Sequence, residues 1–219
     1  MLGPSLVMHV ETLAVGPLAC NCSIVADLAL GRGIVIDPGG QFEQIRERLA
    51  ALHVTVDAIL LTHGHVDHVG AAADLQGLTG ASVKLHGADG FIYDLLPLQA
   101  SLLGTSPPAR AELDLSLVDG GSLRLGAAEI RVLHTPGHSP GSVGFLLEQG
   151  SELRLFCGDT LFRGGVGRTD LWGGSEAALL RSIRSRLWTL PDHTEVIPGH
   201  GELTSIGEER RSNPFCADV

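Results

Sequence analysis

Thr62-His63-Gly64-His65-Val66-Asp67-His68 sets three imidazoles and a carboxylate within six consecutive positions. Imidazole nitrogen and carboxylate oxygen are good ligands for zinc, iron and manganese. The Gly between the first two His residues frees the backbone, so four side chains can turn into one space where a strand has ended. Three more candidate ligands follow, each with Gly as its immediate N-terminal neighbour. His138 lies in Thr135-Pro136-Gly137-His138-Ser139-Pro140-Gly141, Asp159 in Cys157-Gly158-Asp159-Thr160, and His200 in Ile197-Pro198-Gly199-His200-Gly201. His9, His53, His86 and His193 have no motif around them and read as structural. His134 reads either as a donor behind a ligand or as ordinary packing.

The elements that must hold these residues read as mixed α/β. Residues 57–61 form a short apolar strand ending at Thr62. Residues 23–27 and 33–37 read as a hairpin about Gly31-Arg32-Gly33, closed by Asp37-Pro38-Gly39-Gly40, and residues 6–10 as a weak edge strand. Phe42, Ile45, Leu49 and Leu52 recur at helical spacing. Residues 69–78 are Ala-rich and helical, 82–85 a strand, and 88–112, with Pro97, Pro107 and Pro108, broken helix and loop. In the second half, strands are expected at 122–125, 130–133, 142–147 and 153–156. A Gly-rich loop at 158–174 has a length and polarity that suggest function. Ser175 caps a helix running to Trp188, followed by a strand at 195–197 and a helical turn at 207–211. No linker or repeat interrupts this order, so one domain is expected over residues 1–219.

Composition narrows the function. At 44% hydrophobic and 18% charged residues, a buried core is expected and global disorder is not. A net charge of −10, with Lys84 the sole Lys, argues against nucleic acid as partner. No basic N-terminal region precedes an apolar run, and no stretch approaches the roughly 20 apolar residues of a membrane span, so a cytoplasmic protein is expected. Cys20, Cys22, Cys157 and Cys216 lack zinc-finger or redox spacing and read as free thiols.

HxHxDH followed by TPGH, GDT and PGH resembles the metallo-β-lactamase superfamily over about residues 6–213. The resemblance implies a four-layer αβ/βα sandwich with metals at one edge between two sheets. It also implies a ligand scheme: His63, His65 and His138 on a first metal, Asp67, His68 and His200 on a second, and Asp159 bridging both. Two divalent ions, zinc first and iron or manganese as alternatives, would supply a bridging hydroxide, with Asp67 and Asp159 as the catalytic carboxylates. True class B β-lactamases usually carry Cys where Asp159 stands.

The stretches from Gly158 to Asp170 and from Gly207 to Phe215 look like the short, single-domain glyoxalase II-type hydrolases, which act on S-lactoylglutathione. By that resemblance the substrate is a small glutathione-type thioester, with Arg168, Arg163, Asp170 and Asn213 as candidate contacts. Two departures stand out. The larger members add a C-terminal helical domain, which is not expected here, and place a Tyr where Glu202 stands. The main alternative is a glutathione persulfide dioxygenase, with one Fe(II) on His63, His138 and Asp159. Phosphodiesterase or lactonase action and a non-catalytic metal module are further alternatives. Oligomeric state is not specified by any motif.

Overall fold

The computed structural model describes residues 8–217. The first six strands make one sheet in sequence order: β1 (His9–Val15), β2 (Cys20–Asp27), β3 (Arg32–Ile36), β4 (Thr55–Leu60), β5 (Ser82–His86) and β6 (Leu113–Leu117). Its first three strands pair antiparallel and its last four parallel. The second sheet begins with β7 (Ser122–Leu125), β8 (Ala128–His134), β9 (Val143–Gln149) and β10 (Glu152–Gly158). A small hairpin, β11 (Leu161–Phe162) with β12 (Gly165–Val166), stands apart. β13 (Glu195–Pro198) and β14 (Thr204–Ser205) complete the second sheet, in the order β14-β13-β10-β9-β8-β7.

Three apolar layers explain the stacking. Ile34 and Ile36 of β3 face Phe145 and Leu147 of β9 between the sheets. Val35, between them in sequence, turns the other way and packs with Ile45 and Leu49 of α1 (Phe42–Ala51). Leu146 and Leu155 pack outward on Leu179 of α6 and Ile206 of α7, defined below. Strands buried on both faces read as continuous apolar runs, which is how β2, β3 and β9 appear in the sequence. Each fully buried Leu, Ile or Phe contributes about 1.5–3 kcal/mol of transfer free energy. The layers are therefore helix, sheet, sheet, helix: the four-layer α/β sandwich expected from the resemblance.

The helices follow the same economy. Residues 69–78 are two pieces rather than one, α2 (Val66–Val69) and α3 (Ala72–Thr79), broken where Gly70 packs on the Gly39 backbone. The 88–112 stretch holds α4 (Gly90–Asp94) and α5 (Leu96–Leu102), then loop. α6 (Glu176–Ser182) starts at Ser175, whose hydroxyl accepts from the Ala178 N–H, and widens into a π turn over Ile183–Leu187. α7 (Ile206–Ser212) is capped in the same way by Ser205.

Several boundaries differ from expectation. The edge strand expected at 6–10 is β1 at His9–Val15, paired with β2 along its length; residues 6 and 7 lie outside the described residues. Its side chains are half-buried on both faces, so no alternation marks it. The hairpin turn occupies residues 28–31, where Asp27 accepts from the Ala29 and Leu30 N–H groups, and Arg32 and Gly33 already belong to β3. β6 was not expected. Asp114 and Ser116 interrupt its apolar residues, as an edge strand tolerates. No described helix is long and apolar enough to cross a membrane.

Candidate metal centre

The candidate ligands sit where strands end. His63 and His65 follow β4, His138 follows β8, Asp159 follows β10 and His200 follows β13. Two main-chain bonds align these ends: the Val143 N–H donates to the Thr62 carbonyl across the sheets at 2.8 Å, and the Gly199 N–H donates to the Gly158 carbonyl at 2.8 Å. The second extends the parallel β10/β13 ladder, so Asp159 and His200 emerge side by side. A Cβ at Gly199 would lie 2.1 Å from Asp159 Oδ1 and 2.8 Å from the His68 ring, so only Gly allows this approach.

The seven side chains form three overlapping groups: His63, His65 and His138; His63, His68 and Asp159; and Asp67, His68 and His200. His138 Nε2 lies 2.9 Å from His65 Nδ1 and 3.2 Å from His63 Nε2. His68 Nε2 lies 3.2 Å from His200 Nε2, and Asp67 Oδ2 is 3.1 Å from His200 Nε2. Asp159 stands between the groups, with Oδ1 3.4 Å from His68 and Oδ2 3.7 Å from His138.

The opposite ring nitrogens decide what these contacts mean. His138 Nδ1 donates to the Arg168 carbonyl at 2.8 Å, His200 Nδ1 to the Leu18 carbonyl at 3.0 Å, and His68 Nδ1 to Asp37 Oδ2 at 3.0 Å. His63 Nδ1 meets the Thr62 hydroxyl at 3.0 Å, and that hydroxyl donates to Asp37 at 2.6 Å. In the neutral form of each of these imidazoles, Nε2 is thereby left as a lone pair. Lone pairs facing one another within about 3 Å repel unless a cation lies between them. Asp159 Oδ1 is likewise buried without a hydrogen-bond partner, a costly state for a carboxylate. The residues fit a metal.

Protonation agrees. Burial drives the His63 imidazole well below its usual range and pushes His65 down to about 3, so both stay neutral donors at pH 7. Burial alone would raise the Asp67 and Asp159 carboxyls, but the facing His68 and His200 hold both below the usual range. Burial opposes charge on His68 and His200; the surrounding acids outweigh it and raise both.

Two supports were not legible as such. Asp37 reads as the start of a turn, yet it accepts from the Thr62 N–H at 2.7 Å, the Thr62 hydroxyl and His68. Its φ of 50° is the only trace of that task in the backbone. Asn21, flanked by Cys20 and Cys22, donates to the Pro198 and Gly201 carbonyls at 2.9 and 3.0 Å and so holds the His200 loop. His134 bonds no ligand; its Nε2 donates to the Pro140 carbonyl at 2.8 Å. The four cysteines are free and buried.

His65, Asp67, His138, Asp159 and His200 open onto a cleft of about 380 Å³, whose rim includes Leu18, Leu102, Leu103, Leu171, Trp172 and Arg168. Arg168 is exposed and forks onto Asp170 at 2.7 and 2.8 Å. Asp170 is not itself on the cleft wall, and the other two candidate contacts lie elsewhere. Arg163 pairs with Glu202 at 2.5 Å and is not on the cleft wall. Asn213 is buried; its amide donates to Glu209 at 2.8 Å and the Gly165 carbonyl at 3.0 Å, bracing the loop from behind. The structure thus gives Asn213 a bracing task, and it is not among the residues of the cleft wall.

A four-layer fold with a His/Asp cluster at its sheet edge defines a class of metal-dependent hydrolases. The Metallo-beta-lactamase superfamily profile matches residues 15–200, and the chain belongs to that superfamily. It is 40% identical over 217 residues to the hydroxyacylglutathione hydrolase GloC of Haemophilus influenzae, covering 95% of this chain and 98% of that one. The BLEG-1 B3 metallo-beta-lactamase superposes with a TM-score of 0.88 at 36% identity, covering 95% of this chain and all of that one. TTHA1623 in a di-iron-bound form gives 0.80 at 39%, covering 94% and 100%.

Proposed function

We propose that this chain is a single-domain thioester hydrolase that cleaves S-lactoylglutathione or a related 2-hydroxyacyl thioester. The observation that carries the reading is the pair of donor groups meeting at Asp159 beneath a cleft whose rim bears Arg168. His63, His65 and His138 would hold one divalent cation, and Asp67, His68 and His200 a second, with zinc the expected metal and iron or manganese chemically suitable. Such a pair, when bound, makes hydroxide available near neutral pH and polarises a carbonyl. Similarity to the Haemophilus hydrolase supports the thioester, and similarity to the di-iron protein keeps iron among the candidates.

The chain's own residues do the rest. Asp67 and Asp159 face the cleft as acceptors and orient the nucleophile's proton. Arg168 offers a two-pronged contact to a carboxylate of the thiol carrier, in competition with Asp170. Leu102, Leu103 and Trp172 keep water from the acyl chain. A thiolate leaves readily, so no dedicated acid is required.

The test is metal analysis coupled to S-lactoylglutathione hydrolysis on one preparation. Turnover rising with metal content up to two ions per chain supports the reading. Oxygen consumption with glutathione persulfide at one iron per chain would replace it with the dioxygenase, and turnover of β-lactams alone would replace it with a lactamase.

A further inference from the structure

Asp89 is fully buried and belongs to none of the donor groups. It ends the short helical turn Gly87–Asp89 that follows β5. Its Oδ2 accepts from the Gly64 N–H at 2.9 Å and from the Ser139 hydroxyl at 2.7 Å, while its Oδ1 accepts from the Gly141 N–H at 2.6 Å. Gly64 lies between His63 and His65, and Ser139 follows His138. One carboxylate therefore fastens the two loops that carry these three imidazoles. A Cβ at Gly141 would stand 2.7 Å from the Asp89 carboxylate, so the loop is drawn in as far as Gly permits. Ser142 adds to the clamp: its hydroxyl accepts from the Ser139 N–H at 3.1 Å and lies 2.7 Å from the Ser139 hydroxyl. On the outer side, His86 stacks on His134 at 4.4 Å and 14°, pressing the end of β5 against the end of β8.

The other group has different fastenings. His200 hangs on the Leu18 carbonyl and on Asn21, and His68 on Asp37. Asp37 serves both groups, because it also receives Thr62, the partner of His63. Asp89 touches only the loops of His63, His65 and His138.

We infer that Asp89 is a positioning residue that sets the cation affinity of the His63–His65–His138 group and leaves the Asp67–His68–His200 group unchanged. The inference rests on the two-cation reading. Hydrogen bonds from neutral donors to a buried carboxylate are charge-assisted and directional, and removing a partner behind metal ligands typically costs about 10–100-fold in affinity. In Asp89→Asn one carboxylate oxygen becomes an NH2 that faces a donor, so at least one of the three bonds is lost while the volume is kept.

The experiment is a zinc titration of the metal-free full chain against a competing chelator, with ions per chain counted after dialysis. It is run on the wild type, Asp89→Asn and Ser139→Ala, and on Asp89→Asn combined with His138→Ala or with His200→Ala. Asp89→Asn is expected to weaken one of two ions at least tenfold, and Ser139→Ala, the milder change, to weaken the same ion less. In the His138→Ala background Asp89→Asn changes nothing further, whereas in the His200→Ala background it weakens the one remaining ion. Equal weakening of both ions, no weakening, or an effect in the His138→Ala background overturns the inference. A wild type that binds fewer than two ions overturns the two-cation reading instead.

Discussion

His68 Nε2 and His200 Nε2 lie 3.2 Å apart, while the Nδ1 of each ring donates to a fixed acceptor, Asp37 for His68 and the Leu18 carbonyl for His200. Two imidazoles so tethered can meet only around a positive charge, a shared proton in the metal-free chain or a metal cation in the loaded one. A cation therefore stabilises the folded chain. At a free concentration about 1,000 times Kd the gain is about 4 kcal/mol per site, or roughly 8–16 °C for a chain of this size. Calorimetry with and without chelator should show a fall of that order on metal removal; identical transitions would contradict it.

The metal-free chain should have a pH optimum of stability close to neutrality. Burial depresses His63 and His65, so on acidification below about 6.5 the unfolded chain takes up protons that the folded chain refuses, and stability falls. The slope is at most about 1.4 kcal/mol per pH unit for each imidazole. His68 and His200 are raised by the acids around them, so their contribution is present below about 6.5 and is lost as pH rises through their folded values. Chelated protein melted across pH 5–9 should show a maximum; a monotonic rise would show that His68 and His200 do not hold protons.

Arg168→Ala should raise KM for glutathione thioesters about fivefold, the loss of roughly 1 kcal/mol from one exposed charged contact, with metal content unchanged. Arg163→Ala, whose partners are Glu202 and Glu208, should leave KM within twofold. Asn213→Ala should instead lower stability by about 1–3 kcal/mol, because buried groups lose their partner. Steady-state kinetics and urea melts of the three variants separate these outcomes; an unchanged KM in Arg168→Ala removes that residue from binding.

The thiols should be inert in the folded chain. Burial pushes Cys157 up to about 12 and Cys20 and Cys216 up to about 11, and Cys22 well above its usual range. A disulfide reagent at pH 8 should titrate four thiols after unfolding and essentially none before. Rapid native labelling would contradict the packing of β2 and β10.

What could be read from the sequence was what is local. His63, His65, Asp67 and His68 announce themselves because four donors crowd one turn, and His138, Asp159 and His200 because each follows a Gly at a strand end. The doubly buried strands were legible as apolar runs. Asp37 and Asp89 were not, because their partners lie 25 to 52 residues away and nothing in their neighbourhoods records it. β6 could have been read from the alternation of Leu113, Leu115 and Leu117 with Asp114 and Ser116, but five residues directly after the Pro107-Pro108 loop make a short signal. Arg163 and Asn213 sit in the right stretches of chain, but their direction depends on Glu202, Glu208 and Glu209, which no spacing rule supplies.

The most direct measurement is anomalous diffraction at the metal absorption edge from a crystal of the loaded protein. Two peaks should flank the Asp159 carboxylate, one among His63, His65 and His138, the other among Asp67, His68 and His200. A single peak, or one remote from Asp67 and His200, would contradict the binuclear hydrolase.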